Sequence, residues 1–99
     1  NKLYKITKII TLGSKGLKAE FSNGLHKKIR AFKVKVISTH GAGDAFIGAM
    51  ASYRLKGNNI ISSLNYGQAA AALHISNKIR HRDKITEKDI LDLIIKNKK

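Results

Sequence analysis

The apolar residues of this chain change their spacing once, and that change limits the possible folds more than any other feature of the sequence. Up to Ile37 they alternate with polar residues or run in short blocks, whereas after Gly43 they recur every three or four positions. Period two suits strands and period 3.6 suits helices, so strands come first and helices follow, an α/β layer arrangement. Lys8 to Leu12, KIITL, is a β-branched run that stops at Gly13 and predicts a buried strand. GLKAEFSNGLHKKIRAF predicts a hairpin: Leu17, Ala19 and Phe21 alternate on one side of Ser22-Asn23-Gly24, and Leu25 and Ile29 follow on the other. Asn-Gly is a strong signal for such a turn. Val34, Val36 and Ile37 predict one more short extended piece.

The helical half divides into three. Phe46, Ala49, Met50, Tyr53 and Leu55 form one apolar pattern, closed by Gly57-Asn58-Asn59. Ile60, Ile61, Leu64, Ala69, Ala72, Leu73 and Ile75 form a second, in which Ala69 to Ala72 permit close approach of a helix or ligand. Thr86-Glu87-Lys88-Asp89 then reads as a capping box opening a third helix through Ile90, Leu91, Leu93, Ile94 and Ile95. Two or three strands make a thin sheet, so the chain reads as part of something larger.

At 99 residues there is room for one domain with a modest core, and a chain of this size buries only about 60–65% of its unfolded surface. The 42% apolar content is that of a globular protein. Cys is absent, which excludes disulfides and thiolate metal sites and points to a reducing compartment. No apolar run is long enough for a membrane helix, and NKLYKITK does not read as a signal peptide. The expectation is a soluble, cytoplasmic protein with no membrane partner. The formal net charge of +14 attracts phosphate, whether on nucleic acid, membranes or nucleotides. Most of the cations are Lys, they are scattered, and no RNP-like aromatic cluster or zinc-finger pattern accompanies them. The charge alone therefore leaves nucleic acid as a candidate without a dedicated surface for it.

The candidate chemistry lies in STHGAGDAFIGAM, Ser38 to Met50. Consecutive backbone N–H groups at a helix start attract an anion, helped by the helix dipole. Asp44 in that first turn could cap the same N–H groups, the plainer role. Gly41 and Gly43, however, free the approach of side chains, and Gly48 and Ala49 keep the helix slim where it packs; a cap requires neither. TLGSKG, Thr11 to Gly16, puts glycines at a strand end, where α/β proteins hold ligands. It is not a Walker loop. His81-Arg82-Asp83 spells a kinase-like HRD, but the other protein-kinase motifs are missing, and a charged turn between helices is the better reading. His26, His40, His74 and His81 lack zinc spacing, and His74 reads as a packed or half-exposed helix residue. Neither a Ser-His-Asp arrangement nor paired carboxylates can be argued.

STHGAGDAFIGAM resembles the C-terminal signature of the PfkB/ribokinase-like carbohydrate kinases. TLGSKG is similar to that family's nucleotide-binding strand turn, and NYGQAAAALHIS to its alanine-rich helix beside adenine, so the likeness runs from about Ile9 to the end. The resemblance implies a partial ribokinase-like, Rossmann-like sandwich in which residues 1–99 form the C-terminal, nucleotide-binding part of the kinase domain. The N-terminal substrate and lid part would be its missing partner. It further implies ATP-dependent phosphoryl transfer to a hydroxyl of a sugar or nucleoside-like molecule. Asp44 would be the general base, and the N–H groups around Gly41, Ala42, Gly43 and Asp44 an anion hole. Thr11, Gly13, Ser14, Gly16 and Gly43 would line the nucleotide, with Gln68 near adenine and Mg²⁺ accompanying the phosphates. Ser38 and His40 mark the place of a monovalent cation in the family. There Asp often stands where Ser38 does, and the later cation loop contains Gly where this chain reads NKIRHRD, Asn77 to Asp83. These departures count against K⁺ activation. A chain of this extent is not expected to act as a selective sugar kinase alone. The competing reading is a basic polyanion-binding module on a decayed kinase scaffold.

Overall fold

The computed structural model describes residues 6–11 and 15–97. The chain forms two compact units that meet in sequence between Ala31 and Phe32.

The first unit is an antiparallel meander of three strands, β1 Ile6–Thr11, β2 Leu17–Phe21 and β3 His26–Ile29, in the order β1-β2-β3. Ile9 lies opposite Ala19 and Thr11 opposite Leu17, while Leu17 in turn faces Ile29. Alternation on β2 buries Leu17 and Ala19 completely and turns Lys18 and Glu20 to the other face, where they form an exposed ion pair at 3.8 Å. The KIITL strand exists but is not buried throughout. Lys8 is exposed and Ile9 and Ile10 are half-buried, because β1 is an edge strand; Leu12 and Gly13 lie outside the described residues. The hairpin turns at Ser22-Asn23-Gly24, where it was expected. Gly24 N–H donates to Phe21 O (3.0 Å), Phe21 N–H donates to Leu25 O (2.8 Å), and only Gly24 has positive φ, +88°. This is the three-residue loop with a left-handed glycine bulge, and the Asn23 side chain supports it by accepting from Leu25 N–H.

The second unit holds three helices: α1 Ala42–Leu55, α2 Ile60–Ser76 and α3 Glu87–Lys96, with a 3₁₀ segment Ile79–Lys84 between the last two. α1 and α2 pack closely. Their contact is set by Gly67, where an added Cβ would come within 2.8 Å of the Phe46 ring, and by Tyr53 and Tyr66, stacked with centroids 4.1 Å apart. Burial raises the Tyr66 phenol above its usual pKa. Gly48 does not play the packing role expected of it, since an added Cβ there meets nothing within 4 Å. The slim contact is made from the α2 side instead. Tyr66, Ala69, Ala70 and Ile90 form the core of this unit, surrounded by Phe32, Ala49, Tyr53 and Leu73 among others. Asn59 caps α2 by accepting from Ser62 N–H (2.8 Å). α3 carries the expected capping box, with Thr86 and Asp89 bonded reciprocally.

Val34, Val36 and Ile37 form no strand among the described residues. The segment is extended but pairs with no strand among the described residues, and Val36 and Ile37 remain about half exposed (52% and 51%). No helix among the described residues is long and apolar enough to cross a membrane.

Candidate functional site

The extended segment leads into the Gly-Ala-Gly-Asp turn, and three attachments hold that turn in place. Ile37 and Ser38 N–H both donate to Ile75 O near the end of α2 (2.7 and 3.1 Å). His40 N–H donates to the Ser38 hydroxyl at 3.2 Å. Third, two distant side chains grip the turn's carbonyls. Arg82 donates through Nη1 to His40 O (3.0 Å) and through Nη2 to Ser38 O (2.7 Å). His74 Nε2 lies 3.0 Å from His40 O, so it must be the protonated ring nitrogen and act as donor.

Gly41 is then required for two separate reasons. Its φ of +79° lies in the left-handed region, and an added Cβ would stand 2.9 Å from His74 Nε2. Beyond it α1 begins. Ala42 N–H donates to Thr39 O (3.1 Å) and Ala45 N–H to Gly41 O (3.0 Å). Gly43 and Asp44 N–H have no acceptor among the described residues. The open donors are therefore those of Gly43 and Asp44; Ala42, expected to share the anion hole, has its N–H engaged. Gly43 and Asp44 both belong to the first turn of α1, whose N–H groups have no carbonyl one turn back to bond. Just before them, His40 O is held by Arg82 and His74.

Asp44 is exposed in the first turn of α1 and its carboxylate makes no bond within the described residues, so it is not a helix cap. An added Cβ at Gly43 meets nothing within 4 Å, which leaves the donors open to an incoming group. Elsewhere in the same unit Gln68 is half-buried on α2 with Nε2 buried and unpartnered among the described residues. Of the strand-turn residues, Thr11 ends β1, and Gly16 is buried at φ +98°, where a Cβ would lie 2.0 Å from Ile29 O. Gly13 and Ser14 lie outside the described residues.

Sequence reasoning missed Arg82 and His74 as parts of the site. They stand 42 and 34 residues from His40, and no local pattern links them to it. A cleft of about 400 Å³ opens between α2, the 3₁₀ segment and α3, beside His81, Lys84, Asp89 and Asp92; it includes none of the residues expected in the site. No group of three or more His, Cys, Asp or Glu that could hold a metal occurs among the described residues.

Known proteins carry the same arrangement of sequence and fold. The model of the pfkB family of carbohydrate kinases matches residues 2–80. Ribokinase of Schizosaccharomyces pombe is 37% identical over 70 residues, covering 71% of this chain and 22% of that protein. The 5-dehydro-2-deoxygluconokinase of Clostridium beijerinckii is 33% identical over 90 residues, 91% of this chain and 26% of that protein. Among solved structures, Arabidopsis thaliana ribokinase complexed with ribose and ATP superposes with a TM-score of 0.77 at 28% identity, covering 87% of this chain and 28% of that one. The chain thus spans about a quarter of the length of the relatives it matches.

Proposed function

The chain belongs to the pfkB family of carbohydrate kinases, and from that premise we propose that it supplies the nucleotide and phosphoryl-transfer side of an ATP-dependent sugar kinase. The observation that carries this reading is the unpaired Gly43 and Asp44 N–H pair beside a carboxylate with no partner of its own. ATP would supply the transferred γ-phosphoryl group. The two N–H groups, at the positive end of α1, would hold the charge that builds on the γ-oxygens. Asp44 would accept the proton of the acceptor hydroxyl as its oxygen bonds to phosphorus and the bond to ADP breaks. Gln68, with an unsatisfied amide, is the α2 residue best suited to adenine. Thr11, Gly13, Ser14 and Gly16 would line the nucleotide, and the acceptor would be a sugar or nucleoside-like hydroxyl held by the remaining portion of the kinase. The half-exposed Val36 and Ile37 are the apolar edge that such a portion would cover. A cytoplasmic location belongs to the same proposal.

The test is calorimetric titration of Mg·ATP into the protein at low and moderately high salt, with tripolyphosphate as control. Saturable binding that prefers ATP and persists in salt is expected of a shaped nucleotide site. Equal competition by tripolyphosphate, with both signals lost in salt, would replace this reading by polyanion binding through the +14 charge.

A further inference from the structure

The positions where the family resemblance implies a monovalent cation, Ser38 and His40, do not fit one here. Their carbonyl oxygens, the groups that would coordinate such an ion, both accept from the Arg82 guanidinium, at 2.7 and 3.0 Å. A second cation bonded to the same oxygens would sit against a permanent positive charge.

Arg82 has the properties of a replacement. It lies on the 3₁₀ segment that stands in place of a glycine-containing loop. It is half-buried and forms no ion pair among the described residues, so carbonyl dipoles rather than a carboxylate balance its charge. Its planar fork spans two carbonyls two residues apart, a geometry that one ammonium cannot copy. The consequence reaches the first turn of α1. His40 O directly precedes the left-handed Gly41 that opens the helix, so Arg82 and His74 fix the backbone from which the open Gly43 and Asp44 donors follow.

We propose that Arg82 is a built-in substitute for a monovalent cation: its guanidinium holds the Ser38 and His40 carbonyls and so organises the Gly41–Asp44 turn without K⁺. Arg82 is a positioning residue and touches no reacting atom. The inference rests on the kinase reading only for the benefit to nucleotide binding; the ordering of the turn is independent of it.

The experiment compares the purified protein with Arg82→Ala in KCl, NaCl and tetramethylammonium chloride at constant ionic strength. Three readouts are used: melting temperature, the Gly43 and Asp44 amide resonances, and Mg·ATP affinity. The unaltered protein is expected to be indifferent to the cation in all three. Arg82→Ala should shift both amide signals and weaken Mg·ATP roughly tenfold, the scale of one charge-assisted contact. Millimolar guanidinium, or K⁺ in preference to tetramethylammonium, should restore both. Arg82→Gln, of similar reach without the charge, gives the same comparison if the alanine variant does not fold. A K⁺ preference in the unaltered protein overturns the proposal. So does an Arg82 variant that leaves the amides unchanged, or one whose defect no cation repairs, which would make Arg82 a packing residue only. Should the unaltered protein bind no ATP, the kinase reading fails, while the melting and amide readouts still decide the role of Arg82.

Discussion

The helices α1 and α3 start in opposite ways, although both carry an aspartate in the first turn. In α3 the N-cap Thr86 and Asp89 bond to each other's backbone, so the turn spends its side chains on its own N–H groups. In α1 the N-cap is a left-handed glycine with no side chain to offer and the Asp44 carboxylate makes no bond, so the Asp44 N–H, unlike that of Asp89, has no side-chain acceptor. A start like that of α3 stabilises a helix. A start like that of α1 gives up that stabilisation, and the turn is held instead by Arg82 and His74 from outside the helix. The difference separates a terminus that serves the fold from one kept open for a ligand.

The largest way to break the comparison is Asp44→Asn. In the complete kinase we expect turnover to fall by about 10²–10⁴, with Mg·ATP affinity nearly unchanged in calorimetry; unchanged turnover would return Asp44 to an ordinary first-turn residue. Gly41→Ala comes next. The left-handed φ alone costs about 1–2 kcal/mol, and the new Cβ meets the His74 ring at 2.9 Å, so chemical denaturation should show a loss at or above the top of that range. Thr86→Ala, by contrast, should cost about 1 kcal/mol of stability and leave Mg·ATP binding untouched. The same box has an acid limit. Hydrogen bonds from Thr86 hold the Asp89 carboxyl below its ordinary value of 3.8. Its contribution is therefore present above that value and is lost as pH falls below it through the folded-state pKa, seen as earlier fraying of α3 amides in acid. The smallest effect has two signs. Gly43→Ala meets nothing within 4 Å, so stability should hold or rise by up to about 1 kcal/mol, while nucleotide affinity falls because the methyl group crowds the open donors. Equal stability and equal affinity would sink the anion-hole assignment.

Much of this was legible because the signals are local. The meander, its glycine turn, the three helices and the α3 capping box follow from spacing and from residues three or four apart. The misreadings share a cause as well. Gly48 and Gly67 look alike in sequence, yet only Gly67 meets the neighbouring helix. Val34 to Ile37 have strand character, but a strand needs a partner, and none lies among the described residues.

The sequence by itself determined the order of elements, the glycine turn that opens α1 and the acidic residue placed in it, because each depends on backbone preferences within one turn of chain. Only the tertiary structure decided what holds the turn. The Ser38 and His40 carbonyls find no partner within their own stretch of chain. Residues brought from 34 and 42 positions away reach His40 O, and a charged guanidinium spanning two carbonyls makes stronger bonds to them than a neutral donor would.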